Sequence, residues 1–247
     1  MYYRIDISKN IIKKFLFKFC CSLFKRSCNE FNVLTDNKNL DTLFQKNFTY
    51  TSTVLPIPHI LKNKRNIKKN NNNYNFSLWI PGPFRPDKGT LNTINIVNEV
   101  SKNHKFEIKI NQGYKKFFSK KRQNVTFIQP NLNQKKYSEM LVNSDVILIP
   151  YDHKSYKYRT SGIFLEAISA NKLTLVSANT WMADELKKNN LKVLIVKDWL
   201  NSNFLELIEK VFFDKKINQS LKNMQQKYLK IHGPKSFIKK MQKIISK

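Results

Sequence analysis

Apolar residues recur along the chain with two different spacings. From residue 76 onward, short apolar and β-branched runs alternate with stretches in which apolar residues return every three to four positions. The runs predict buried strands and the stretches predict helices. The predicted strands are 76–80, 106–110, 125–128, 145–150, 173–177 and 192–196, and the predicted helices are 89–103, 134–143, 161–170 and 180–189. This alternation predicts an α/β domain with a doubly wound parallel sheet covered on both faces.

The chain before residue 76 lacks this regular alternation of strand and helix patterns. Residues 33–34 predict a short strand and 39–48 a helix, and the X-Pro steps within 53–59 favour extended backbone. Residues 62–75, rich in Asn and Lys, have almost nothing to bury and predict a linker. The predicted organisation is therefore a short N-terminal region 1–61, the linker 62–75, a domain 76–230, and a C-terminal helix within 231–247 that begins after Gly233-Pro234.

Residues 9–26 predict an amphipathic helix. Its apolar stripe repeats at intervals near four and consists of Ile11, Ile12, Phe15, Leu16, Phe19, Cys20, Leu23 and Phe24. Lysines fill much of the remaining circumference, a pattern typical of a helix lying on anionic lipid. The alternative, which we favour, is a helix packed on the protein's own sheet with a solvated lysine face.

Composition narrows the candidate functions. The formal net charge of +28 suggests nucleic acid, but 39 of the 45 basic residues are Lys and the chain contains 30 Asn, a bias that fills surfaces with Lys whatever the partner. We therefore expect no nucleic-acid partner, and an Arg in such a chain is of interest for its planar set of donors. All three cysteines, Cys20, Cys21 and Cys28, precede residue 30, which excludes a disulfide scaffold or zinc ribbon. We expect Cys20 and Cys21, which lie on the helix predicted for 9–26, to pack as small apolar residues.

Targeting signals are weak. The apolar run 15–24 is too short to span a membrane and is interrupted by Lys18, and no small-residue cleavage site follows it. The sequence predicts a cytoplasmic protein, and the lipid-binding alternative for residues 9–26 would place it on the inner face of the membrane.

The loop after the first strand of the α/β domain predicts an anion site. Residues 81–89 run from the strand through Gly82, Arg85 and Lys88 to Gly89 at a helix start. Gly82 allows close backbone approach, and a helix N-terminus offers unpaired N–H groups and a positive dipole end. Two cations three residues apart strengthen the hypothesis of a bound phosphate or diphosphate; the alternative is a Pro/Gly-rich surface loop. The loop has neither the G-x-G-x-x-G nor the P-loop pattern.

A second candidate site follows the strand that ends at Pro150-Tyr151. Ser161 is a good N-cap, Gly162 lets a ligand approach the first helical turn, and Ile163 follows it. Glu166 lies about one turn inside, where a carboxylate can accept hydrogen bonds from the vicinal hydroxyls of a ribose. The alternative for Glu166 is an ordinary exposed helical glutamate.

These segments together resemble a known family. Four segments carry the resemblance: Arg85-x-x-Lys88-Gly89, the strand into Pro150-Tyr151, Ser161-Gly162-Ile163-x-x-Glu166-Ala167 and Asn179-Thr180-Trp181. They are similar to the donor-binding half of GT-B glycosyltransferases of the "group 1" retaining type, which implies a Rossmann-like domain. The resemblance covers about 76–198 and implies that Arg85 and Lys88 hold the diphosphate of a nucleotide-sugar donor and that Glu166 holds its ribose. Two segments before the linker, Leu34-Thr35-Asp36-Asn37 and Leu55-Pro56-Ile57-Pro58-His59, are similar to the end of the other, acceptor-binding half, which implies that region 1–61 is a remnant of that half.

The chain departs from the family pattern in two ways. Tyr158 occupies the position where members often place a second glutamate for the donor sugar. Only about sixty residues precede the linker, whereas the resemblance implies two halves of comparable size, so we expect most of the acceptor half to be missing from this sequence. Two functions stay open: transfer of a sugar to a glycan or lipid-linked glycan, or a donor-binding module that needs a partner chain.

The expected chemistry needs no metal. Negative charge grows on the leaving diphosphate, and Arg85 and Lys88 would stabilise it as the catalytic cations. The sequence has no Asp-x-Asp pair and its histidines are scattered. His153 could reach the site, but a loop histidine is more often solvated. Trp181 and Met182 predict either closure over a ligand or simple packing.

Overall fold

The computed structural model describes residues 3–4, 7, 10–28, 31–59, 75–120 and 122–246. The chain divides into two compact units. The smaller contains Met1–His59, Tyr158–Thr160 and Lys230–Lys247, and the larger contains Ile60–Lys157 and Ser161–Leu229. The predicted linker 62–75 lies outside the described residues except for Asn75 and stays a prediction.

The larger unit is built on a six-stranded parallel sheet. Its strands are β3 (Phe76–Trp79), β4 (Phe106–Asn111), β5 (Val125–Ile128), β6 (Val146–Ile149), β7 (Leu173–Ser177) and β8 (Ile195–Val196). The spatial order is β5-β4-β3-β6-β7-β8. The chain therefore winds to one side of β3 and then returns to the other, which places the switch point between β3 and β6. The predicted α/β class and doubly wound parallel sheet are confirmed.

Helices connect these strands because their apolar positions recur with the helical period. They are α3 (Thr90–Ser101), α4 (Gln134–Asn143), α5 (His153–Tyr156), α6 (Gly162–Ser169), α7 (Trp181–Lys188), α8 (Phe204–Phe212) and α9 (Lys215–Ile231), with 3-10 turns at Pro86–Lys88, Gln112–Phe117 and Lys192–Leu194. β6 and β7 are buried along their whole length, as expected of strands covered on both faces. The buried side chains of this unit form one connected hydrophobic cluster, whose first and last members in the sequence are Phe76 and Tyr228.

Two sequence predictions are corrected here. The predicted strand 192–196 is a strand only at Ile195–Val196, because Lys192–Leu194 form a 3-10 turn. Of the two readings of Trp181 and Met182, the structure supports packing: both are buried, and the Trp181 ring meets Phe164 edge to face at 5.8 Å.

The smaller unit pairs two parallel strands with helices. It contains α1 (Ile11–Ser27), β1 (Val33–Thr35), α2 (Lys38–Asn47), β2 (Ser52–Val54) and α10 (Pro234–Ile245), and β1 pairs with β2. Its core is a cluster that includes Tyr3, Phe17, Cys21, Phe44 and Phe48. Asn37 caps α2 at Leu40 N and also donates to the Tyr158 carbonyl and to Thr160 Oγ1, which holds residues 158–160 in this unit.

The packing predicted for the apolar stripe of residues 9–26 is wrong. None of the eight predicted stripe residues is buried; the buried positions of α1 are Phe17 and Cys21, and Cys20 is exposed. The helix therefore packs through a different face from the one the pattern indicates. No helix among the described residues is long and apolar enough to cross a membrane.

Candidate functional site

The loop after β3 is pressed against the carboxyl end of β6 by two glycines. Gly89 has φ 74° at the start of α3, and a Cβ placed there would lie 1.8 Å from the Pro150 carbonyl oxygen. Gly82 has φ 110°, and a Cβ there would lie 3.3 Å from Ile163 Cδ1 and 3.6 Å from the Tyr151 hydroxyl. The loop therefore reaches the first turn of α6 as well as β6.

Tyr151 lies at the centre of this contact. Its side chain is 1% exposed, and among the described residues its hydroxyl makes no hydrogen bond of normal geometry, although the Ser161 side chain lies close enough to oppose part of the rise in its pKa. Burial, followed by the neighbouring Tyr156, raises the pKa of Tyr151 well above its ordinary value, so the phenol keeps its proton. A buried donor without a partner costs free energy, and here it faces the glycine of the predicted anion loop.

Lys88 is held over this tyrosine. Its ammonium lies 3.8 Å from the centroid of the Tyr151 ring and 5.1 Å from that of Tyr156, and the two rings are 4.5 Å apart. Cation–π contacts with two rings fix a long, flexible side chain at the edge of the site. The sequence predicted Lys88 but neither of the tyrosines that position it.

Arg85 has a different partner. Its Nε donates to Asp87 Oδ1 at 2.9 Å, and its Nη2 donates to Asp87 Oδ2, a bidentate pair within the 3-10 turn. The Arg85 side chain is 45% exposed. Arg85 and Lys88 are therefore in one loop but with separate partners, one a carboxylate and the other two aromatic rings.

Helix α6 presents its N-terminus to the loop. The Ser161 hydroxyl accepts from Phe164 N at 3.3 Å, which caps the helix as predicted, and Gly162 is its first residue. Ile163, the next residue, is the one that contacts Gly82. The structure thus brings Gly82, Lys88 and Ile163 together at Tyr151. Because the Phe164 amide is used by the Ser161 cap, the Gly162 and Ile163 amides are the first-turn donors that can face an anion.

Glu166 is held by a residue that the sequence analysis missed. The Tyr137 hydroxyl donates to Glu166 Oε2 at 2.6 Å. Burial, together with the Glu166 charge, raises the pKa of Tyr137 far above its ordinary value, so this donor stays protonated. The Tyr137 ring packs against Trp79 at the end of β3, with centroids 5.2 Å apart. Glu166 is therefore a positioned carboxylate next to the switch point.

Two cavities open on this edge of the sheet. One, of about 570 Å³, is lined by residues that include Gly89, Tyr151, His153, Asn179 and Trp199. A smaller one, of about 180 Å³, is lined by residues that include Trp79, Gly82, Asn131 and Tyr137. Both lie beyond the carboxyl ends of the strands, where ligands bind in open α/β sheets. A larger groove is lined by residues that include Asn98, Lys102, Arg122 and Leu200.

His153 lines the larger cavity, and its side chain is 57% exposed. Its ring lies 4.0 Å from the Asp152 carboxylate. Among the described residues, no three His, Cys, Asp or Glu side chains come together as metal ligands. That the reaction needs no metal stays a prediction.

Sequence comparison identifies no relative: no protein-family model and no curated protein matches the chain. Structural comparison does find proteins of similar fold. Sucrose-phosphate synthase from Thermosynechococcus elongatus superposes with a TM-score of 0.66 at 12% identity, over 96% of this chain and 61% of that one. WaaG, a glycosyltransferase involved in lipopolysaccharide biosynthesis, gives 0.59 at 16% identity, over 83% and 62%. TarM gives 0.64 at 12% identity, over 87% and 43%.

The matched structures are GT-B glycosyltransferases, and the GT-B resemblance drawn from the sequence is confirmed for the fold. The chain spans about three fifths of the length of the first two structures it matches.

Proposed function

We propose that the larger unit binds a nucleotide-diphosphate sugar and that the chain is a glycosyltransferase, or the donor-binding part of one, acting on a glycan or lipid-linked glycan. The observation that carries the proposal is the convergence at Tyr151. The glycine loop, the ammonium of Lys88, an unpartnered buried phenol and the N-terminus of α6 meet there, at the switch point of a doubly wound sheet.

In this proposal the diphosphate lies between Gly82 and the first turn of α6. The Tyr151 hydroxyl and the α6 amides donate to its oxygens, and Lys88 supplies positive charge. Arg85 exchanges the Asp87 carboxylate for a phosphate oxygen when the donor binds, because its planar donors suit either anion. Glu166, fixed by Tyr137, accepts from the ribose hydroxyls.

The proposed mechanism is electrostatic. When the bond between the sugar and the diphosphate breaks, negative charge grows on the leaving oxygens, and fixed donors stabilise it more than they stabilise the ground state. If Arg85 and Lys88 each contribute ~1.5–3 kcal/mol in a desolvated site, together they account for roughly two to four orders of magnitude in rate. The proposal includes no metal.

A second candidate is a donor-binding module that transfers sugar only with a partner chain that supplies the acceptor side. The coverage of 61% of the first matched structure favours keeping this alternative, as does Tyr158 where the family often has glutamate. The proposal in either form includes no nucleic-acid partner. A peripheral membrane contact through residues 9–26 is a separate proposal and is argued below.

Thermal unfolding with UDP, GDP, ADP and the matching monophosphates tests donor binding. A ligand at 100 times its Kd adds ~2.7 kcal/mol of stability, so we expect one diphosphate to raise the Tm by several degrees and its monophosphate to raise it less. Arg85→Ala should abolish the shift, and Arg26→Ala, in the smaller unit, should preserve it. A chain that no nucleotide stabilises would contradict the proposal.

A donor-hydrolysis and transfer assay with a radiolabelled nucleotide sugar then separates the two candidates. Release of labelled sugar by the isolated chain supports the enzyme. Nucleotide binding without release supports the module.

A further inference from the structure

Helix α1 has one face that packs in the smaller unit. Phe17 meets Tyr3 at 5.7 Å and Phe48 at 5.1 Å between ring centroids, and Cys21 is fully buried beside them. Lys14 also turns inward, since its Nζ donates to Asn47 Oδ1 at 3.0 Å. This face gives the helix its place in the fold.

The rest of the helix leaves several large apolar side chains exposed. Ile11 is 84% exposed and Phe15 is 70% exposed. Seven large apolar side chains of α1 are exposed. Six of them, Ile11, Ile12, Phe15, Leu16, Phe19 and Leu23, form what is hereafter the outer face. The seventh, Phe24, lies nearer the packed face, and its ring stacks on Phe31. With 3.6 residues per turn the residues of the outer face share an arc of about 140°, separate from Phe17 and Cys21. A contiguous apolar strip of this kind on a soluble domain marks an interaction surface.

The charges around the outer face have one sign. Lys18 and Lys25 follow its edge and Arg26 lies at its C-terminal end, all three exposed, and α1 contains no acidic residue. Long cationic side chains at such an edge can reach outward past the apolar strip to phosphate groups. The chain as a whole carries a formal net charge of +28.

We infer that the outer face of α1 binds the surface of an anionic lipid bilayer, with the helix axis parallel to the membrane plane. An apolar strip bordered by cations matches the boundary between acyl chains and anionic headgroups. A second copy of the chain is a poor occupant, because it would bring the same cations against these. With 17 residues and five cations the helix lies on the membrane and does not cross it.

This inference goes beyond donor binding, and it is independent of it. The outer face and the Tyr151 site belong to different units, so each can be tested with the other intact.

Vesicle co-sedimentation at low and high salt tests the inference with the full chain. We expect binding to vesicles of phosphatidylcholine with phosphatidylglycerol, little binding to phosphatidylcholine alone, and weakening by salt. The double variant Phe15→Ser/Phe19→Ser should lose at least tenfold in binding, while Phe213→Ser, a change at an equally exposed phenylalanine in the larger unit, should lose none.

General charge attraction is separated by a second matched pair. Two triple variants each remove three positive charges. The first, Lys18→Gln/Lys25→Gln/Arg26→Gln, changes α1, and the second, Lys215→Gln/Lys216→Gln/Lys222→Gln, changes α9. We expect the first triple to weaken binding about fivefold for each charge and the second to have a much smaller effect. A Phe19→Trp variant should show blue-shifted, lipid-quenched fluorescence on anionic vesicles.

Three results would overturn the inference: no binding to anionic vesicles, equal loss in the two triple variants, or self-association of the chain that Phe15→Ser/Phe19→Ser abolishes. Nucleotide-induced Tm shifts, measured on the same proteins, should be unchanged by Phe15→Ser/Phe19→Ser. If the chain binds nucleotide but not lipid, the inference is wrong and the proposed function is unaffected. If it binds lipid but not nucleotide, the proposed function is wrong and the inference is unaffected.

Discussion

Glu166 and Tyr137 form a pair whose contribution can be measured separately. A hydrogen bond to a charged group contributes ~1.5–3 kcal/mol, so Glu166→Gln should weaken nucleoside-diphosphate binding about 10- to 100-fold. Tyr137→Phe removes only the group that orients the carboxylate and should cost a smaller factor, about three- to tenfold. Isothermal titration calorimetry measures both.

Inorganic pyrophosphate is the control for this pair, because it contains the diphosphate but not the ribose. Both variants should bind pyrophosphate as the unchanged protein does. If Glu166→Gln weakens pyrophosphate and nucleotide equally, the carboxylate does not hold the ribose.

The cysteines of α1 differ in their environment, which predicts a difference in reactivity. Burial, then the neighbouring Cys20, raises the pKa of Cys21 to about 11. At pH 8 Cys21 should therefore resist a thiol reagent that modifies Cys20 and Cys28, both exposed, as peptide mass spectrometry can show. Since the folded state retains the Cys21 proton, its contribution to stability should be present below about pH 9 and lost as pH rises toward about 11. Modification of all three thiols at equal rates would contradict this assignment.

At the scale of elements, the join between the 3-10 turn Pro86–Lys88 and α3 depends on a single glycine. Gly89→Ala would place a methyl group on the Pro150 carbonyl oxygen at a residue with positive φ, and should destabilise the larger unit by ~3 kcal/mol or more. Thr90→Ala, at the next residue, removes hydroxyl interactions such as the 3.2 Å bond from Oγ1 to the Arg85 carbonyl but adds no atom, and should cost ~1 kcal/mol. Urea unfolding compares the two, and equal effects would refute the close contact.

A Phe→Ala substitution should have very different effects on the free energy of unfolding on the two faces of α1. Phe17→Ala removes a buried ring from an aromatic cluster and should cost ~3–5 kcal/mol of unfolding free energy. Phe15→Ala, two residues earlier but largely exposed, should change stability by less than ~0.5 kcal/mol. Denaturant unfolding by circular dichroism distinguishes them, and a large cost at Phe15 would mean that the outer face is covered.

Strands and long helices could be predicted from the sequence because burial on both faces leaves a continuous apolar run, as in β6 and β7. The prediction of which face of α1 packs against the protein was wrong. The stripe on α1 was correctly identified as apolar, but periodicity gives only the faces of a helix and not which of them packs. The short strand Ser52–Val54 forms by pairing with Val33–Thr35, and only part of it falls in the stretch 53–59 that was predicted to be extended. The 3-10 turn Gln112–Phe117 has no periodic pattern that would predict it.

Much the same limit applies to the site. Gly82, Lys88, Ser161, Gly162 and Glu166 follow strand ends or begin helices, so topology alone places them at one edge of the sheet. Tyr137 lies inside a helix, 29 positions from Glu166, and nothing local marks it. Tyr151 directly follows a predicted strand, and that position was the available signal. The pairing of Arg85 with Asp87 was also missed, although the two are only two residues apart.

For the whole molecule, the excess of lysine is a hazard in any binding experiment, because a chain of net charge +28 attracts nucleotides without a site. Which part of the chain responds to an added nucleotide is therefore more informative than how strongly the nucleotide binds. Specific donor binding should act on the larger unit, since the residues assigned to the donor all belong to it.

Hydrogen exchange followed by mass spectrometry can locate that effect. At a nucleoside diphosphate concentration near 100 Kd, peptides covering 81–89, 150–157 and 161–170 should exchange more slowly, because the ligand stabilises their closed state. Peptides covering 11–27 and 33–54 should not change. Glu166→Gln at the same nucleotide concentration should lose most of the protection, whereas nonspecific attraction would slow exchange in both units and persist in the variant. Protection confined to the smaller unit would place the ligand away from the Tyr151 site.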